Sequence, residues 1–143
     1  MIALGVIFLK IFFAGGRNPH SPDLSSKVIV ITGANSGIGY SAAEELSKLN
    51  PAHIVLACRN PERGKEAEEK IAAKVPGAIV EYIHLDLGDL NSVKTFAEQV
   101  NAKFDKVDVL LNNAGLWVQS RYVTKQGFEQ TFGVNHLGHF VLT

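Results

Sequence analysis

Apolar positions along the chain fall into short unbroken runs, separated by longer stretches where they recur every three or four residues. Val28-Ile29-Val30-Ile31 is a β-branched run without a polar interruption, the pattern of a strand buried on both faces. Between Gly37 and Leu49 the apolar residues Ile38, Ala42, Leu46 and Leu49 return at helical spacing. This predicts a helix with those four on its buried side, stopped by Asn50-Pro51. Ile54-Val55-Leu56-Ala57 reads as a second strand. Asn60 is placed to cap the next helix, with Pro61 in its first turn. Ala67, Ile71 and Val75 form the buried side of that helix, and Pro76-Gly77 ends it. Glu66 and Lys70 belong to its solvated face at a favourable spacing. Residues 79–85 predict a third strand, and Glu81 and His84 within it point to an edge position. Leu90, Val93, Ala97, Val100 and Phe104 alternate steps of three and four, which predicts a third helix. Residues 107–111 predict a fourth strand. A last helix is expected to start between Gln126 and Gln130 and to run to the end.

Strands alternating with helices across short loops imply right-handed crossovers and an α/β, doubly wound parallel sheet. Residues 1–14, MIALGVIFLKIFFA, stand apart, apolar except for Lys10 and Gly5. As a helix they would span about 21 Å at roughly 1.5 Å per residue, against about 30 Å for a hydrocarbon core. A membrane anchor, a signal-like segment and a packed terminus all remain open readings. Turn-forming residues from Gly15 to Pro22 then predict a linker. The expected division is a hydrophobic segment over 1–16, a linker over 17–26 and a folded unit over 27–143.

Composition narrows this further. Fourteen Lys and Arg balance fourteen Asp and Glu, which argues against broad electrostatic attraction to nucleic acid. The single cysteine, Cys58, permits no intrachain disulfide and no cysteine-based zinc site. That fits an intracellular setting. His136 and His139 lack acidic or cysteine partners nearby, so no metal site is read.

The candidate chemistry lies in the turn Thr32-Gly33-Ala34-Asn35-Ser36-Gly37-Ile38-Gly39. Gly33 permits a tight exit from the strand, Gly37 lets a pyrophosphate approach the backbone, and Gly39 lets helix and strand pack closely. The helix N-terminus offers unpaired N–H groups and a positive dipole end to an anion. A plain packing turn is the competing reading; the strand–turn–helix setting favours the nucleotide. Twenty residues beyond Gly39 stands Arg59, where a site for the unphosphorylated ribose would carry an acidic residue. A guanidinium there suits a 2′-phosphate; a solvent-exposed arginine is the alternative.

TGANSGIG (Thr32–Gly39), Leu85-Asp86-Leu87, Asn112-Asn113-Ala114-Gly115 and Val134-Asn135-His136-Leu137-Gly138-His139-Phe140 together resemble the short-chain dehydrogenase/reductases over residues 27–143. Cys58-Arg59-Asn60 and the VNHLGHF segment look like the retinol-dehydrogenase-type branch, which often carries a hydrophobic N-terminal anchor. The resemblance implies a Rossmann-type sheet and an NADP(H)-dependent oxidoreductase. Its substrate would be a small apolar alcohol or carbonyl compound, a retinoid or steroid among them. It also implies attachment to an endoplasmic-reticulum-type membrane through residues 1–14, and association into homo-oligomers. It assigns Gly33, Gly37, Ile38 and Gly39 to the cofactor diphosphate, and Ser36 and Arg59 to the 2′-phosphate. Asp86 and Leu87 fall to the adenine, and Asn113, Ala114 and Gly115 to the cofactor beyond strand four. Asn112 would support the sheet. Asn135 matches the asparagine of the catalytic tetrad. Asp86 as a plain helix cap, and the paired asparagines as bridges at a strand end, are the structural alternatives.

The family's remaining catalytic groups are a serine and a tyrosine followed four residues later by lysine, which protonate and polarise the carbonyl as hydride adds. Here Tyr40 is followed at that spacing by Glu44, Tyr82 by Asp86 and Tyr122 by Gln126. The full family sheet has about six strands in order 3-2-1-4-5-6, of which only 3-2-1-4 are expected here. The sequence therefore reads as the N-terminal half of an enzyme, whether a fragment, a truncated isoform or a partial gene product. It is expected to be inactive alone. A non-catalytic nucleotide-binding or dimer-interfering module, and a product that never folds stably, are the other readings.

Overall fold

The computed structural model describes residues 22–143. The apolar run 1–14, read above as a candidate membrane anchor, lies outside the described residues. Among those described, no helix is long and apolar enough to cross a membrane. Four strands, β1 (Val28–Thr32), β2 (His53–Cys58), β3 (Val80–His84) and β4 (Val109–Leu111), form one parallel sheet in the order β3-β2-β1-β4. Helices α1 (Gly37–Ser47), α2 (Pro61–Lys74) and α3 (Leu90–Lys103) occupy the crossovers. The last helical stretch opens as α4 (Gln130–Phe132), widens into a π-helical segment, Gly133–Gly138, and closes as α5 (His139–Leu142). Sequence periodicity carried no sign of that widening.

The period of two along each strand sorts the core into two layers. Ile29 and Ile31 of β1 and Ile54 and Leu56 of β2 face Ala43, Ala67 and Ile71 of α1 and α2. Val30, Val55 and Ala57 face the other way, toward Val93, Phe96 and Val100 of α3 and Val134 of the π-helical segment. Leu24 already packs on the first layer, a few residues ahead of the expected start of the folded unit. β3 is an edge, as its mixed polarity predicted. Its Tyr82 N–H is satisfied by Glu68 Oε2 at 2.9 Å.

The caps agree with the sequence at α2, where Asn60 Oδ1 accepts the Arg63 N–H at 2.8 Å. Glu66 and Lys70 pair at 2.7 Å on its outer face. The buried side of α1 differs from expectation. Gly39, Ala43 and Ser47 form its inner seam, while Ile38 is 82% exposed. Small residues let the helix settle close to the strands, and that gain turns the bulkier Ile38 outward. In α3 the buried residue between Val93 and Val100 is Phe96, with Ala97 only half-buried.

Candidate functional site

β1 ends at Thr32, and the chain turns at once. Gly33 donates its N–H to Ala57 O at 2.8 Å and takes φ +67°; Gly37 takes φ +55°. Both lie in the left-handed region that side chains with a Cβ disfavour. At Gly39 the constraint is space, since a Cβ there would stand 2.6 Å from Gly33 O and 2.5 Å from Asn113 Nδ2. The three glycines thus press the first turn of α1 onto the strand end. Ser36 holds the N-cap position, but its hydroxyl makes no capping hydrogen bond, and the first turn carries no acidic residue. α2 and α3 are both capped by side chains, Asn60 and Asp89. α1 alone of these three crossover helices leaves its first N–H groups and its positive dipole end without a side-chain acceptor.

Beside this turn lies a hollow of about 190 Å³. The glycine turn contributes Gly33 and Asn35, and the end of β2 contributes Ala57, Cys58 and Arg59. Leu85, Asp86 and Leu87 follow β3; Ala114, Gly115 and Leu116 follow β4; Val134 closes the wall. Arg59 is exposed and, like Arg63, Lys65 and Arg121, makes no ion pair among the described residues, whereas Lys27, Lys48, Lys70, Lys74, Lys94, Lys103, Lys106 and Lys125 all do. Asp86 Oδ1 accepts the Gly88 N–H at 2.9 Å, and its second carboxylate oxygen makes no hydrogen bond among the described residues. Asp86 caps no helix; that task falls to Asp89, three residues on, whose carboxylate accepts the Asn91 N–H at 3.1 Å. Burial pushes the Cys58 thiol up to about 11, so it stays protonated in the wall.

On the opposite side the crevice is held by side-chain hydrogen bonds. Thr32 Oγ1, fully buried, accepts the Asn113 and Ala114 N–H groups, each at 2.9 Å, and lies 2.9 Å from His139 Nε2. Asn113 Nδ2 donates to Thr32 O at 2.8 Å, which is the strand-end bridge considered for the paired asparagines. Asn112 instead faces outward and donates to Thr143 Oγ1 at 3.1 Å. Asn135 grips Leu116 twice: its Oδ1 accepts the Leu116 N–H and its Nδ2 donates to Leu116 O, both at 2.8 Å. His139 Nδ1 lies 3.1 Å from Asn135 O.

The structure therefore gathers Gly33, Arg59, Asp86, Leu87, Ala114 and Gly115 around one hollow. Asn113 and Asn135 stand behind it as braces. Gly39 lies beneath the turn. Ser36 lines a neighbouring groove with Tyr40 and Arg63, and Gly37 and Ile38 line a shallow depression on the outer side of α1. Tyr122 is 57% exposed, and Lys125 pairs with Asp89 at 2.6 Å; both belong to the loop surface. The bracing roles of Thr32 and His139 escaped the sequence reading. Their signals were a hydroxyl closing an apolar strand and a histidine four residues beyond Asn135.

The model of the short chain dehydrogenase family matches residues 27–143. Retinol dehydrogenase 13 of Homo sapiens is 39% identical over 142 residues, covering 99% of this chain and 43% of that protein. Among solved structures, a metagenomic short-chain oxidoreductase in complex with NADP superposes with a TM-score of 0.72 at 31% identity, over 85% of this chain and 55% of that one. An alcohol dehydrogenase from the archaeon Thermococcus sibiricus, complexed with 5-hydroxy-NADP, gives a TM-score of 0.69 at 33% identity over 82% and 50%. The chain thus spans less than half the length of the human relative.

Proposed function

The chain belongs to the short chain dehydrogenase family, and on that premise we propose that residues 27–143 form the adenosine-phosphate half of a site for NADP(H). The observation that carries this is one arrangement: an uncapped α1 N-terminus that follows directly on the Gly33–Asn35 turn, and Arg59, without an ion pair among the described residues, lining the same hollow as that turn. An anion answers both, because the helix end supplies N–H donors and the guanidinium a charge-assisted fork. In this reading Gly33, Gly37, Ile38 and Gly39 bound the diphosphate, and Ser36 and Arg59 receive the 2′-phosphate. The second oxygen of Asp86 accepts the adenine amine, Leu87 lies on the ring, and Asn113, Ala114 and Gly115 line the cofactor where it passes beyond β4. The cofactor, when bound, supplies or accepts hydride; the residues named here bind and orient it. Asn135 is the catalytic-tetrad member present.

The whole protein is proposed to act on a small apolar alcohol or carbonyl compound, of retinoid or steroid type. The 143 residues hold no tyrosine followed four residues later by lysine, so this polypeptide is expected to show no turnover of retinal with NADPH. The apolar sequence of residues 1–14 is assigned to membrane attachment, and the residues between it and Leu24, which packs on the sheet, to a linker. A second reading, a non-catalytic module that associates with its own kind, is favoured by Phe132, His136 and Phe140. Their rings follow one another along the last helical stretch at 5.1 and 6.4 Å, with both phenylalanines exposed. Its test is the oligomeric state of the chain.

The nucleotide reading is tested by calorimetry with 2′,5′-ADP and 5′-ADP. The 2′-phosphate is expected to strengthen binding by about tenfold or more, and Arg59→Asp to erase that preference. Equal affinity of the unaltered chain for both would overturn the assignment of Arg59.

A further inference from the structure

His139 is 7% exposed, and both its ring nitrogens are engaged. Asn135 O can only accept, so the proton facing it sits on His139 Nδ1. At the other nitrogen, the Thr32 hydroxyl already receives two N–H groups, from Asn113 and Ala114. Its lone pairs are used, and its one hydrogen has two candidate acceptors, His139 Nε2 at 2.9 Å and Leu111 O at 3.4 Å. The shorter contact takes it. Two independent contacts thus demand the same form of the ring, with the proton on Nδ1 and a lone pair on Nε2. The hydrogen bonds close a circuit. Thr32 holds Asn113 and Ala114, the chain continues to Leu116, Asn135 grips Leu116, His139 holds Asn135 O, and His139 returns to Thr32. Every segment of that circuit belongs to the wall of the crevice opposite Arg59 or to its backing.

We propose that His139 is a positioning residue of this crevice. Fixed as the Nδ1-protonated tautomer, it ties the π-helical segment to the end of β1, so that Asn113 to Leu116 keep their place. The functional part of the inference rests on the nucleotide reading above and concerns only the half of the dinucleotide beyond the adenosine phosphates, since Arg59 and Asp86 lie outside the circuit.

The test has three readouts on the 143-residue chain. Nitrogen-15 NMR of the unaltered protein is expected to show His139 protonated at Nδ1 and unprotonated at Nε2; the opposite tautomer, or averaging of the two, overturns the proposal. Amide exchange at Asn113 and Ala114 is expected to be slow, and to accelerate selectively in His139→Phe while the amides of β2 stay protected. Finally, His139→Phe is expected to weaken NADPH by about tenfold and to leave 2′,5′-ADP unchanged, with His139→Gln recovering part of the loss. Equal loss of both ligands, or of neither, overturns the positioning role. If the unaltered chain binds neither nucleotide, the function proposed above falls, and the tautomer and exchange results still judge His139. If His139→Phe does not fold, the tautomer decides alone.

Discussion

On the Arg59 side of the crevice, Ile54, Val55 and Leu56 of β2 are wholly out of water, whereas on the Asn135 side β4 leaves Val109 43% and Leu111 37% exposed. The first side sits between two strands and two layers of helices, so apolar burial holds it. Among the described residues the second pairs only with β1 and takes its order from Thr32, Asn113, Asn135 and His139. The difference teaches that one wall of a site can rest on non-directional burial while its opposite rests on a few directional bonds. The directional wall is the more vulnerable to a single-atom change.

The contrast breaks most sharply if truncation costs the same on both sides. Leu56→Ala, in the fully buried β2, is expected to cost about 2–5 kcal/mol, and Leu111→Ala under about 1 kcal/mol. Urea denaturation followed by a spectroscopic probe measures both, and equal midpoints would show that burial supports the two walls alike. Thr32→Val sharpens the other half. It preserves shape but strands the Asn113 and Ala114 N–H groups and His139 Nε2, at about 1–3 kcal/mol for a buried unsatisfied group. A neutral result would mean that the hydroxyl organises nothing.

The smallest effect is in acid. Hydrogen bonds from Lys125, Gln126 and the Asn91 N–H pull the Asp89 carboxyl down to about 2, and through them Asp89 pins the loop after β4 to the start of α3. A depressed carboxylate stabilises the fold above the ordinary carboxylate range near pH 4. That contribution fades as pH falls toward about 2. A pH series of denaturation midpoints should lose part of its acid slope in Asp89→Asn, and an unchanged slope would remove Asp89 from the account.

The sheet order and the placement of α2 and α3 were legible because strand runs, caps and helical spacing are local signals. The inner side of α1 was not. Hydropathy favours Ile38 for the core, but the close approach that Gly39 and Ala43 permit is a tertiary gain with no hydropathic signature. Six of the candidate site residues line one hollow because they sit at strand ends, and a parallel sheet brings such ends together. The bracing by Thr32 and His139 spans 107 positions, and no local pattern announces a partner at that distance. The π-helical widening is equally silent, being an adjustment of the helix to what packs against it.

Cys58 has a practical consequence. It is the chain's one thiol, 4% exposed and kept protonated in the wall beside Arg59. An alkylating reagent can reach it only in molecules that have opened, so where opening and closing outpace the reagent, labelling speed tracks the population of the open form. Mass spectrometry of labelled chain in a crude extract then ranks variants without purification, and slower labelling in the presence of a nucleotide reports its binding to the folded form.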